Sequence, residues 1–149
     1  MAKRRNHNFL HHHSLSIASA SILVCWIVLY SHSNPGTHLG AFFGNAIADW
    51  TGLVVTVVAT KFMYEKGSAE SRKPPRHWLD PALRKLQEHS LTIFLLVTGA
   101  GWTALFAKSE PNSKWGQVVG NIVSEWTQIF GLVIMTKKLM ETHSKESHR

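Results

Sequence analysis

Residues 39–64 read LGAFFGNAIADWTGLVVTVVATKFMY, with one carboxylate, Asp49, and no cation before Lys61. As a helix this stretch rises about 39 Å at 1.5 Å per residue. The hydrocarbon layer of a bilayer is only about 30 Å thick. A surface helix of a soluble protein of that length carries a polar face. Here, before Lys61, a narrow stripe of Asn45, Asp49, Thr56 and Thr60 and the lone Thr51 off it interrupt the apolar surface. The stretch reads as a membrane-spanning helix.

Three further blocks follow the same pattern: about Leu15 to Ser31, Leu91 to Ala107, and Trp115 to Met135. No Asp, Glu, Lys or Arg occurs from Asn6 to Ala48. Charged residues make up 17% of the 149, against about 25% in an average soluble domain. The mean hydropathy of −0.06 reflects polar tails and one polar linker that dilute four apolar blocks. Composition argues against a disordered chain, a collagen-like chain and a disulfide scaffold, since Cys25 is the only cysteine. The expected fold is all-α: an integral membrane protein with four transmembrane helices. A soluble four-helix bundle is the weaker alternative.

A shift of 76 positions lays the chain on itself. Between 13–68 and 89–144 there are 18 identities in 56 aligned pairs, without a gap. His13-Ser14-Leu15 falls on His89-Ser90-Leu91, Trp26 on Trp102, and Pro35 on Pro111. Gly40, Gly44 and Asn45 fall on Gly116, Gly120 and Asn121, and Thr60-Lys61 on Thr136-Lys137. Glu65 and Ser68 fall on Glu141 and Ser144. Internal self-similarity of this kind is the mark of a duplicated unit. Two spans per unit return the chain to one side, so the expectation is two tandem parallel two-helix repeats about an axis along the membrane normal. The organisation follows: a basic, His-rich tail at 1–14, a first repeat at 15–64, a linker at 65–90, a second repeat at 91–140 and a tail at 141–149. The match of block one to block three argues that block one is a retained helix and not a cleaved signal peptide.

The net charge is +7, from 16 Lys and Arg against 9 Asp and Glu. A basic balance first raises nucleic acid, but the cations gather where helices end. Fourteen lie in the two tails, the linker and at Lys61; only Lys108 and Lys114 lie by the two short connections. The positive-inside rule puts both termini and the linker in the cytoplasm. The partner expected is the lipid bilayer, not nucleic acid. The connections around Asn34-Pro35-Gly36 and Pro111-Asn112-Ser113 read as tight turns on the far side. In the linker, Asp80-Pro81 is a helix start, and the helix is expected to pass Leu83 and Leu86 directly into block three.

Asp49 and Glu125 stand 12 residues before Lys61 and Lys137, about 18 Å along a helix. That is near the middle of the hydrocarbon layer, where an ionisable group costs about 2.5–3.5 kcal/mol on insertion scales. Asn45 and Asn121 lie one turn away. Facing one another, the acids and amides, with Thr56, would hold a proton or a hard cation. The competing assignment is structural: neutral acids hydrogen-bonded between helices. Gly40, Gly44, Ala48 and Gly52 recur every four residues, as do Gly116, Gly120 and Ser124. Small residues at this spacing let helices approach closely, joining blocks two and four within one chain or joining two chains as a homo-oligomer.

The tail histidines His7, His11, His12 and His13 could hold a soft metal ion, and His13 and His89 a haem iron. A flexible His cluster binds metals weakly without purpose, and each of the latter two precedes a serine suited to an N-cap, so neither metal nor cofactor is expected. Trp115 fits an interfacial belt. No G-x-S-x-G, H-E-x-x-H, C-x-x-C or phosphate loop is present, so no catalytic role is expected.

Residues 64–73, Tyr64-Glu65-Lys66-Gly67-Ser68-Ala69-Glu70-Ser71-Arg72-Lys73, and residues 125–128, Glu125-Trp126-Thr127-Gln128, resemble stretches of an uncharacterised family of small bacterial predicted membrane proteins. The resemblance covers blocks two and four with their cytoplasmic ends. It implies a four-span protein of the bacterial inner membrane and transfers no activity or site residue. The function expected is that of a small membrane module of unknown task. Cation- or proton-linked transport through Asp49 and Glu125 is the sharpest form; a structural or interaction subunit is the alternative.

Overall fold

The computed structural model describes residues 13–68, 81–137 and 139. Residues 1–12, 69–80, 138 and 140–149 fall outside, and with them His7, His11, His12, Asp80, Glu141 and Ser144. Five helices follow in order: α1 Ser14–His32, α2 His38–Phe62, α3 Pro81–Glu88, α4 Ser90–Lys108 and α5 Lys114–Met135. Among the described residues the only β-pairing is an isolated bridge between Glu65 and His89. Helices α1, α2, α4 and α5 are long and apolar enough to cross a membrane. Their ends fall within two residues of the sequence blocks.

The apolar surface points outward. Only 11% of the most apolar stretch of α1, and of α4, is buried. Leu15, Val24, Val28, Leu96 and Val97 are all more than half exposed. Water would penalise such a surface at about 25 cal/mol per Å², whereas lipid does not. This excludes the soluble bundle: the fold is that of an all-α membrane protein.

Helix α1 packs on α2, α2 on α5, and α5 on α4, so α2 and α5 form the centre. Tyr30, Ile47, Ala48, Leu91, Leu95, Val118, Ile122, Trp126 and Val133 are buried there. Positions 76 apart do matching jobs. The Thr37 hydroxyl accepts from the Gly40 amide at 3.1 Å, and the Ser113 hydroxyl from the Gly116 amide at 3.0 Å, each capping a helix start. A Cβ on Gly40 would lie 2.0 Å from the Asn34 carbonyl oxygen, and one on Gly116 2.3 Å from that of Glu110. Gly44 seats the Tyr30 ring, and Gly120 the Phe106 ring. Four of the small residues thus serve to fold each hairpin on itself. Gly52 differs, receiving the Glu125 side chain from the other hairpin. Ala48 is buried in the core, and Ser124 is exposed.

Two expectations are corrected at the linker side. The helix from Pro81 does not run into block three: it stops at Glu88, and His89 leaves helical geometry at φ −122°, ψ 18°. In a continuous helix the Thr92 amide would donate to the Glu88 carbonyl and the Leu91 amide to Gln87. Instead the chain leaving α2 crosses in front. Glu88 O accepts from the Lys66 amide at 2.8 Å, and the Leu91 amide donates to Tyr64 O at 3.2 Å. The Thr92 amide donates to the Glu65 carboxylate at 3.1 Å. Nor do Ser14 and Ser90 cap their helices. The caps are His13 and His89, without a side-chain cap bond, and each serine is the first helical residue. Ser90 Oγ is engaged elsewhere, accepting from the Tyr64 amide at 2.9 Å.

Candidate functional site

Asp49 is the twelfth of 25 residues in α2, and Glu125 the twelfth of 22 in α5. Both carboxyls therefore lie half-way along the two central helices. They open on one cleft of about 210 Å³ lined by Asn45, Asp49, Asn121, Ser124, Glu125 and Gln128. Every lining residue is polar. Asn121 Nδ2 donates to Asn45 Oδ1 at 2.5 Å, which closes the seam one turn above the acids. A second hollow of about 360 Å³ lies on the other side of this amide pair, towards the turns, between Tyr30, Phe106 and Gln117. Asn45 and Asn121 belong to both hollows.

The structure brings Asn45, Asp49, Asn121 and Glu125 together. It does not bring Thr56 to them. Seven residues on, about 10 Å along α2, Thr56 lines a separate apolar cavity of about 80 Å³ with Leu91, Leu95, Ile129 and Leu132. At that level the neighbours of α2 are the apolar side chains Leu91 and Leu95 of α4 and Ile129 and Leu132 of α5, so helical spacing alone misplaces this residue. Ser124, assigned above to packing, and Gln128, which ends that stripe, are exposed and line the cleft. Helix α5 is rotated so that Ser124 and Gln128, three residues beyond Asn121 and Glu125, also face the cleft.

The linker side holds a polar cluster that the sequence reading did not assemble. Glu65 is wholly buried. Its carboxylate meets His89 Nδ1 at 2.7 Å, the Thr92 amide and the Lys137 ammonium. Burial pushes the Glu65 carboxyl up, but the contacts from Lys137, Thr92 and His89 together outweigh it and hold it below its ordinary value. A carboxylate on the first free amides of α4 also meets the positive end of the helix. Beside it, Ser68 Oγ and Thr136 Oγ1 lie 3.0 Å apart in a buried hydrogen bond. Lys61 donates to His13 Nδ1 at 2.6 Å at the matching place in the first hairpin. The rings of His13 and His89, weighed above as haem ligands, thus contact Lys61 and Glu65. The signal was present: Thr60/Thr136, Lys61/Lys137, His13/His89, Glu65/Glu141 and Ser68/Ser144 are all identities between the halves.

On the turn side, the Tyr30 hydroxyl donates to Lys114 O at 2.6 Å. Lys114 Nζ donates to the carbonyls of Ser31 and Ser33 at 3.0 and 2.6 Å. A cation at the last carbonyls of α1 answers the helix dipole. Trp115 stacks edge-on against the Tyr30 ring with centroids 5.3 Å apart.

The chain matches no protein-family model, no curated protein and no solved structure. Fold and cleft therefore define the class: an all-α membrane protein with four helices able to span and a polar cleft midway along the central pair.

Proposed function

We propose that the chain is a small bacterial inner-membrane protein that holds a proton or a hard cation at the Asp49–Glu125 cleft, as a step in transport. It acts as a membrane module, not as an enzyme. One observation carries this reading: the cleft at mid-helix is lined by six polar residues, two of them carboxyls. Carboxyl, amide and hydroxyl oxygens are the ligands that hard cations prefer, and intramembrane acids mark ion and proton paths. The hollow beyond the Asn45–Asn121 pair offers a way in from the turn side. Fourteen of 16 Lys and Arg at the linker and tails favour both termini in the cytoplasm. The matched contacts at positions 76 apart favour two parallel repeats, and the resemblance to the family of small bacterial membrane proteins favours the inner membrane.

The test is carbodiimide labelling of Asp49 and Glu125 in liposomes across pH, read by mass spectrometry, with flux measured beside it. Labelling that persists near neutral pH and is blocked by one cation, together with flux lost in Asp49→Asn and Glu125→Gln, is the expected result. Labelling indifferent to every cation, with flux unchanged in both variants, refutes it. One contact favours a structural role instead: the Glu125 side chain lies on Gly52, where an added Cβ would come 2.6 Å from its Cγ. On that reading the acids join the hairpins, and Asp49→Asn and Glu125→Gln change assembly before any flux.

A further inference from the structure

The described residues of this chain leave the cleft open. Asn45, Asp49, Ser124 and Gln128 are exposed, although they stand on the two central helices at the level where hydrocarbon surrounds the fold. Gln117, two turns before Ser124, is exposed on the same helix and borders the adjoining hollow. Lipid tails offer no hydrogen-bond partner, and uncompensated polar groups there cost several kcal/mol each. Something polar must cover this face.

We infer that the cover is a second copy of the chain, which completes the cleft with its own Asn45, Asp49, Asn121 and Glu125. The inference rests on the cleft being the working site. A twofold interface requires a patch complementary to itself. This face carries amide donors at Asn45, Gln117, Asn121 and Gln128 beside carboxyl acceptors at Asp49 and Glu125, so each copy offers what the other needs. The face also straddles the seam between positions 76 apart, Asn45 with Asn121 and Asp49 with Glu125. It therefore presents nearly the same chemistry whichever central helix meets the partner. Two copies set α2 and α5 of each around one polar axis, with four carboxyls at one depth. Rings of acidic side chains are how cation pathways select. The partner contributes half of the lining, and the cleft of one chain is incomplete without it.

Disulfide trapping in native membranes tests this. In a Cys25→Ala background, Ser124→Cys and Asn45→Cys are oxidised separately, with Val97→Cys on the outward face of α4 as the control. A product of twice the 16.7 kDa chain mass from either cleft variant, and none from the control, is expected. Equal linking at all three positions means random collision and overturns the inference. So does the absence of linking at both cleft positions in a chain that single-molecule photobleaching counts as monomeric. The outcomes separate from those of the cation reading. Flux lost in Asp49→Asn from a monomer keeps the site without the dimer; a trapped dimer whose labelling ignores every cation keeps the dimer without the site.

Discussion

Replacing Glu65 with Gln removes one charge from a place the fold has closed over while keeping the shape of the side chain. Glu65 is 0% exposed, whereas the side chains of its partners Lys137 and His89 are 22% and 43% exposed. Breaking a buried pair by removing one partner costs about 3–5 kcal/mol; an exposed pair is worth about 0–1. With Lys137 mostly covered and His89 half in solvent, the loss should be about 2 kcal/mol, roughly a thirtyfold fall in the folded-to-unfolded ratio. The pH dependence has a definite sign. The folded carboxyl lies below its ordinary 4.5, so its contribution is complete above that value. It is lost as pH falls through the depressed one. The gap between wild type and Glu65→Gln should be full at pH 7 and shrink well below pH 4.5. Unfolding in detergent micelles, followed by the fluorescence of the six tryptophans, measures it at both pH values. Equal stability at pH 7, or a gap unchanged in acid, refutes the argument.

Gly40→Ala forces a Cβ to within 2.0 Å of the Asn34 carbonyl oxygen, a backbone atom that cannot swing aside. It should cost about 2–3 kcal/mol in the same unfolding assay. Gly101→Ala meets nothing within 4 Å, so it should be neutral or stabilise by up to about 1 kcal/mol. Tyr30→Phe deletes the bond to Lys114 O but keeps the ring, as Phe106 does at the matching position. A loss of about 1 kcal/mol is expected, with Gly44 still able to seat the ring.

The spanning helices were legible because their signal is additive: each rests on 19 to 25 mostly apolar residues, and no single one decides it. The turn-side connections were legible for a different reason, since Asn34-Pro35-Gly36 and Pro111-Asn112-Ser113 carry their own turn residues; the caps Thr37 and Ser113 beside them were not read. The linker side was not legible. The one local sign of a break at His89 is Ser90, read as suited to an N-cap; the break is imposed by Glu65 and Tyr64, more than twenty residues upstream, which take the amides that a continuous helix would use. Thr56 failed as a site residue because periodicity gives the angle around a helix but not which neighbour stands there. The acids and amides of the cleft were found from depth and one-turn spacing, and Gln128 was missed as lining because it stands three residues beyond Glu125, where depth singles out nothing.

The two hairpins are latched at both ends. Lys114 and Tyr30 join α5 to the last turn of α1 on one side. Glu65 and Ser68, just past α2, grip α4 and α5 on the other. Between the latches, among the described residues, one side-chain hydrogen bond crosses the seam, at the Asn pair, and such interhelical bonds in membranes are worth about 0.6 kcal/mol on average. A beam pinned at both ends yields at midspan. A bowing apart of α2 and α5 at the level of Asp49 and Glu125 would therefore break few polar contacts, and would widen the cleft while leaving both rims closed.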